Sequence, residues 1–297
     1  MDFDIEVIAR RVRALGTEIS PQSIEGTAAL YAPFHEREPY RAVQLSRDVR
    51  YAPHERHRLD AFVPAAADAT ARPILLYVHG GGFVGGDKRT PGTPYQDNVA
   101  LWAVRHGLIG INMTYRLAPQ FAWPAGAQDV AAALAFVRAE AARFGGDPQR
   151  ILLLGTSAGA VHVASYLAHR EFHPPAGPGV AAAGLLSGIY DLPSAPRNPM
   201  HDAYFGTDPA TYVAASTLPG LLETRVPLLF VLTEMDPQFF QQQGLAVVNA
   251  WVARHGRWPR FVYLPGHNHL SSTMHLNSPD RVLGDYLLDL IRTAPAL

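Results

Sequence analysis

Gly155-Thr156-Ser157-Ala158-Gly159 is a G-x-S-x-G, set after the apolar run Ile151–Leu154 and ahead of a helical stretch through Ala160-Val161-His162. A serine on a tight strand-to-helix turn stands exposed in a strained backbone conformation, and the residues two positions to either side must lack bulk for the turn to close. The helix N-terminus turns its positive dipole end towards developing negative charge. In this context Ser157 reads as a nucleophile, whereas the same pattern elsewhere is often an incidental small-residue turn.

His79-Gly80-Gly81-Gly82-Phe83 follows the run Ile74–Val78. Consecutive glycines let backbone N–H groups approach a ligand oxygen with no Cβ in the way. Acyl transfer needs such donors for the oxyanion of its tetrahedral intermediate. A flexible turn and a phosphate-cradling loop are the rival readings. The second lacks a Lys-Ser/Thr ending and a G-x-G-x-x-G register, and Lys88 comes too late to serve. His79 reads as structural, holding the loop by hydrogen bonds.

A serine nucleophile needs a base, and the base needs an orienting acid. In a sheet of this kind the acid and then the histidine follow the nucleophile in the chain. Asp236 lies after the run Pro227–Leu232, and His267 and His269 lie after Arg260–Leu264. Asp236 is the preferred acid, with Glu234 as its local rival and Asp191, after the preceding strand, as a second. A helix N-cap ahead of Pro237 is the bland reading of Asp236. Either histidine fits the base, since an extended segment points both the same way. His162 reads as a packing residue within its helix. His54, His57, His106, His169, His173 and His255 read as surface or helix-end residues, and His35, His201 and His275 carry no assigned role. No H-E-x-x-H or other metal spacing is present, and no cofactor is expected.

The rest of the chain must position these groups. It has 297 residues, 48% hydrophobic and 17% charged, which excludes wholesale disorder and suffices for a large core. It has no cysteine, so disulfides, thiolate metal sites and thiol catalysis are excluded. The net charge is -1 with scattered arginines, so no phosphate-tracking surface and no nucleic-acid partner are expected. No apolar run approaches the roughly 20 residues that cross a bilayer, and the acidic start MDFDIEVIARR does not read as a secretory signal. A cytoplasmic protein with no membrane partner is the expectation.

Eight strands are predicted, at Ala42–Tyr51, Arg58–Val63, Ile74–Val78, Leu108–Met113, Ile151–Leu154, Ala181–Leu186, Pro227–Leu232 and Arg260–Leu264. The first two alternate and flank a polar turn, as a hairpin does. The later ones are near-continuous apolar runs, as in parallel strands buried on both faces. Helices are predicted at Ala127–Phe144, Ser157–His169, Gln238–His255 and Pro279–Thr293, the last with Val282, Leu283, Tyr286, Leu287, Leu290 and Ile291 on one side. The alternation predicts a single α/β domain with a mostly parallel sheet and helices on both faces. Residues 1–41 and 191–224 fall outside this rhythm and read as cap segments over the carboxyl end of the sheet.

Taken together, HGGGF, Tyr115-Arg116-Leu117-Ala118-Pro119, Trp123-Pro124-Ala125 with Asp129, Gly146-Asp147-Pro148 and GTSAG resemble the hormone-sensitive-lipase-like branch of α/β-hydrolase esterases. The resemblance covers roughly residues 45–295. It implies a twisted eight-stranded sheet and a triad of Ser157, Asp236 and His269, with the N–H groups of Gly81, Gly82 and Ala158 as the oxyanion hole. His269 is favoured over His267 because the family places its histidine before a hydrophobic or small residue opening the last helix. Three departures stand out. Thr156 replaces the common Asp before the nucleophile, His269-Leu270-Ser271 replaces H-G-F, and Met235-Asp236-Pro237-Gln238 lacks the commoner following Leu and Asp. Ser187-Gly188-Ile189-Tyr190-Asp191-Leu192 is similar to a segment of arylformamidases. The function implied is a serine carboxylesterase acting on small, short-acyl esters. A small-amide hydrolase is the alternative, and a non-catalytic binding protein on the same scaffold is a third reading. A small-molecule ester is the expected partner, and a homodimer is compatible with the sequence.

Overall fold

The computed structural model describes residues 3–66 and 71–295. Strands β1 (Val43–Arg50) and β2 (Arg58–Pro64) form the expected hairpin, with Val43 opposite Pro64 and Arg50 opposite Arg58. β1 alternates half-buried and exposed residues, the pattern of an edge strand with one wet face. β3 (Arg72–Val78), β4 (Ile109–Met113), β5 (Gly146–Thr156), β6 (Ala182–Leu186), β7 (Leu228–Met235) and β8 (Phe261–Asn268) are parallel to one another. The sheet order is β1-β2-β4-β3-β5-β6-β7-β8. This is the α/β-hydrolase architecture. All eight predicted strands are present, with ends shifted by a few residues.

Both faces of the sheet are covered. Along β3, Ile74, Leu76 and Val78 enter one apolar cluster with Val130 and Leu134 of α4 (Ala125–Glu140) and Val163 of α5 (Ala158–Ala168). Leu75 and Tyr77 enter the opposite cluster with Val99 and Trp102 of α3 (Asp97–Arg105) and Leu283, Leu287 and Ile291 of α11 (Val282–Thr293). Alternation along a pleated strand requires this division, and burying a Leu or Ile side chain contributes about 1.5–3 kcal/mol. On α11 the buried side includes Leu288, while Tyr286 is 49% exposed and does not belong to it.

The two irregular segments pack at different places. In residues 1–41, Asp4 caps α1 (Ile5–Ala14) by accepting from Glu6 N and Val7 N, and Ser20 with Ser23 forms a capping box on α2 (Pro21–Tyr31). α1 runs along β8, where Ala9 presses on Gly266 closely enough that a Cβ on the glycine would lie 2.5 Å from the alanine methyl. In residues 191–224, α6 (Pro199–Phe205), α7 (Pro209–Ala215) and α8 (Leu218–Glu223) follow one another. Tyr204, Phe205, Tyr212 and Ala215 from this segment share an apolar cluster with Phe83, Ala158 and Val161. That cluster lies against both the glycine loop and the serine turn. α9 (Gln238–His255) and the short α10 (Ser271–Met274) complete the α-helices of the described residues.

Candidate active site

Ser157 sits between the end of β5 and the first residue of α5 with φ 54 and ψ -123. A positive φ on a non-glycine residue is strained. The strain is locked by packing on both sides. A Cβ on Gly155 would lie 2.5 Å from Gly159 O, and one on Gly159 would overlap Val78 O. Ser157 N donates to Leu186 O of the neighbouring strand at 2.8 Å. The glycines of the motif thus let α5 start directly against the ends of β3 and β5.

The glycine loop is held from outside. Tyr115 Oη donates to His79 O at 2.9 Å, and Arg56 donates to Tyr115 O and Gly86 O. Asp129, buried on α4, accepts from Arg116 N at 2.7 Å and lies 2.9 Å from His57 Nε2. His57 is therefore buried and paired, not a surface residue, and burial lowers its pKa. His79 Nδ1 donates to Gly80 O at 2.6 Å, and its ring stacks on Tyr115. Burial pushes His79 down to about 4, so it stays neutral and structural. Gly81 and Gly82 have φ of 134 and 60. Among the described residues the N–H groups of Gly81, Gly82 and Ala158 donate to no protein acceptor.

The carboxyl ends of β7 and β8 bring an acid to a base. His269 Nδ1 lies 2.6 Å from Asp236 Oδ1. Asp236 Oδ2 accepts from Ser187 Oγ and Thr233 N, each at 2.7 Å. The carboxylate is buried with acceptors satisfied on both oxygens, so Nδ1 carries the imidazole proton and Nε2 presents a lone pair. That Nε2 is buried and bonds no group of the described residues. Phe240 stacks on the ring at 4.5 Å and belongs to the same apolar cluster as Ala158, the residue after the serine.

The rival residues are engaged elsewhere. Glu234 forms a two-point ion pair with Arg13 of α1 at 2.7 and 2.8 Å and accepts from Gly266 N, which together hold its carboxyl below the usual range. Asp191 makes only backbone hydrogen bonds among the described residues. His267 faces away from Asp236, with Nε2 3.2 Å from Asp280 Oδ2. His162 packs as expected. Tyr204 Oη accepts from Gly126 N at 3.1 Å and donates to His162 Nδ1 at 3.2 Å, and burial pushes this histidine down to about 3.

Residues 59–173 match the family model described as BD-FAE, a span that holds the glycine loop and the serine turn and ends before Asp236 and His269. Over 271 residues the chain is 30% identical to esterase LipQ of Mycobacterium tuberculosis, covering 83% of this chain and 62% of LipQ. It is also 30% identical over 222 residues to the probable carboxylic ester hydrolase LipM of that organism, covering 65% of this chain and 50% of LipM. The fold superposes on esterase B of Lactobacillus rhamnosis with a TM-score of 0.71 at 20% identity, over 97% of this chain and 96% of that one. The chain thus has the α/β-hydrolase fold and is similar in sequence to these esterases, spanning 62% of LipQ and 50% of LipM.

In this α/β-hydrolase several site residues lie beyond what the motifs specify. Ser187, at the end of β6, is a second anchor for Asp236. Met200 of α6 is 47% exposed and lies over the glycine loop, where its Sδ would overlap a Cβ on Gly82. Of the aromatic residues in the irregular segments, Tyr204 stacks on Phe83 at 4.6 Å, and Phe205 and Tyr212 pack behind them. Tyr31 and Phe34 of the first segment, and Tyr190 just ahead of the second, do not join them. Tyr31 stacks on His267, Phe34 packs on Phe3, and Tyr190 enters the core against Phe230.

Proposed function

We propose that the chain is a serine carboxylesterase for small, short-acyl esters. The observation that carries the reading is the His269 Nδ1–Asp236 contact with Nε2 left unbonded, at the same carboxyl end of the sheet as a serine in a strained turn. Ser157 Oγ attacks the ester carbonyl while His269 Nε2 takes its proton. Asp236 keeps the imidazole in the Nδ1–H tautomer and stabilises the imidazolium that forms. The oxyanion is met by the N–H groups of Gly81, Gly82 and Ala158, with the N-terminus of α5 behind the last of these. His269 then passes its proton to the leaving alcohol, and water, activated in the same way, hydrolyses the acyl-enzyme.

Esterase names among the relatives support ester chemistry, although the chain spans only 62% of LipQ and 50% of LipM. The segment of residues 191–224 serves in this reading as a cap over the acyl site, and the stacked Phe83 and Tyr204 limit its volume. Residues 1–41 buttress the β8 side of the single hydrolase domain. A methylene that fits contributes about 0.8 kcal/mol of burial, whereas one forced into a packed wall typically costs about 1–3 kcal/mol. Chain-length preference should therefore turn over abruptly.

The test is kcat/KM on p-nitrophenyl esters from acetate to palmitate, with a formylated aromatic amine beside them and Ser157→Ala as control. We expect a maximum at short acyl chains and a loss of about 10⁴-fold or more in folded Ser157→Ala. A maximum on long chains, or a preference for the formamide, would overturn the substrate assignment. Turnover by Ser157→Ala near that of the parent would overturn the mechanism.

A further inference from the structure

The structure assigns to this chain a buried binding site for a divalent transition-metal cation of the zinc type, made by His267, His275 and Asp280. The three lie where β8, the end of α10 and the approach to α11 converge, away from the Asp236 side of His269. All three are buried, and one donor atom from each lies within 4.8 Å of the others. His267 Nε2 is 3.2 Å from Asp280 Oδ2. Two ligands at about 2.0–2.1 Å from a tetrahedral ion stand roughly this far apart, so one edge of the polyhedron is already set.

The outer atoms of each ligand are tied, as metal ligands require. His275 Nδ1 donates to Ser271 O at 2.6 Å, so its Nε2 carries a lone pair. That Nε2 is buried and bonds no group of the described residues. His267 Nδ1 lies 3.2 Å from Ser271 Oγ, and Asp280 Oδ1 accepts from Val282 N at 3.2 Å. A hydrogen-bonded His267–Asp280 pair explains two members of the cluster and leaves the His275 nitrogen without a partner, which is costly for a buried acceptor. A cation bonded to all three satisfies it. Two imidazoles and one carboxylate are borderline donors suited to zinc and its neighbours, and a water supplies a fourth position.

Asp280 and Asn277 line a cavity of about 420 Å³ that is separate from the serine turn. Arg105 and Arg281 also line it, and both are paired, with Glu36 and Asp285 respectively, so their charge is largely offset at the mouth. The ion would tie the start of α11 to the strand end that carries His269, two residues beyond His267. Its role is therefore structural: it braces the loop that presents the base and takes no part in proton transfer.

The full chain, stripped with chelator and desalted, is titrated with Zn(II) and in parallel with Co(II). We expect one ion per chain by elemental analysis, a tetrahedral cobalt spectrum in the visible, and a rise in Tm with Zn(II). Asp280→Asn keeps the shape of the side chain, and His275→Gln keeps a polar group there. Each should weaken uptake by about 10–100-fold or more and remove the Tm response. No uptake by the parent chain overturns the proposal whatever the variants do. Uptake unchanged in both variants also overturns it, because the ion would then sit on other histidines.

Discussion

His269 Nδ1 lies 2.6 Å from Asp236 Oδ1, and the other oxygen of that carboxylate is held by Ser187 Oγ and Thr233 N. Asp236 is thus fixed from β6 and β7 while it holds the His269 ring just beyond the end of β8. Asp236→Asn should keep this geometry and reverse its polarity, because an amide NH₂ facing Nδ1 favours the wrong imidazole tautomer. We expect a loss of about 10⁴-fold in kcat. Glu234→Gln should leave kcat within a few-fold and lower Tm, since Glu234 joins α1 to the β8 turn. Kinetics on one short-chain ester, with Tm for each variant, decide the assignment; a greater kinetic loss in Glu234→Gln would move the acid.

Ser187 acts on the base only through Asp236. Ser187→Ala removes one hydrogen bond to a buried carboxylate, worth about 1.5–3 kcal/mol. If it positions the acid, kcat should fall about tenfold with KM little changed, and Ser187→Thr should recover part of the loss. A change confined to Tm would make Ser187 merely structural.

The two neighbouring histidines should separate cleanly. His269→Ala should abolish turnover in a folded protein. His267→Gln should lower Tm, because Asp280 loses its partner, yet turnover measured below that Tm should persist. The reverse ranking would move the base to His267 and leave the rest of the mechanism standing.

Much of this was readable from residue order. Strands buried on both faces are apolar runs cut off by Gly, Pro or charge, and their carboxyl ends hold the motif residues. α3 is not readable in that way, because Asp97 through Ala103 are all buried and leave no polar face to set a period. Tyr286 fits the apolar stripe of α11 by spacing but is half-exposed. Three acids and two histidines compete for the same roles in the sequence, and only long-range contacts separate them: Arg13 takes Glu234, Asp280 takes His267, and Asp236 rather than Asp191 meets His269. Ser187, Met200 and the His267–His275–Asp280 cluster share the same difficulty, since no fixed spacing announces a pairing made across strands.

Burial of neutral histidines makes an acid limit. His79 and His162 have folded values pushed down to about 4 and about 3, below the ordinary value near 6.5. Below pH 6.5 the unfolded chain binds protons that the folded chain refuses. Stability therefore falls as pH drops from 6.5 towards 4 and 3, by about 1.4 kcal/mol per pH unit for each such histidine, and is insensitive to them above that window. Urea unfolding at pH 7.5 and 5.0 should show the drop. His162→Gln, which can still accept from Tyr204 Oη, should reduce the slope by about one histidine's share. An unchanged slope in that variant would contradict the buried, neutral assignment.

Gly81 and Gly82 should respond differently to one added methyl group. At Gly81, with φ 134, a Cβ would overlap Gly85 O, a backbone atom fixed by its own turn in which Gly85 N donates to Gly81 O at 3.0 Å. Relief requires the loop to move, and its N–H groups with it. Losing one oxyanion donor costs about 10²–10³ in kcat, so Gly81→Ala should lose at least that much. At Gly82, with φ 60, the overlap is with Met200 Sδ, the far end of a flexible and half-exposed side chain. The remaining cost is a left-handed alanine, about 1–2 kcal/mol, so Gly82→Ala should keep activity within roughly tenfold. Adding Met200→Ala to Gly82→Ala should recover part of the loss if the sulfur is what the methyl meets. Kinetics on a short-chain ester for Gly81→Ala, Gly82→Ala and the double variant read this directly. Equal, severe losses at both glycines without rescue would mean that the loop tolerates no Cβ anywhere and that Met200 does not set the clearance over Gly82.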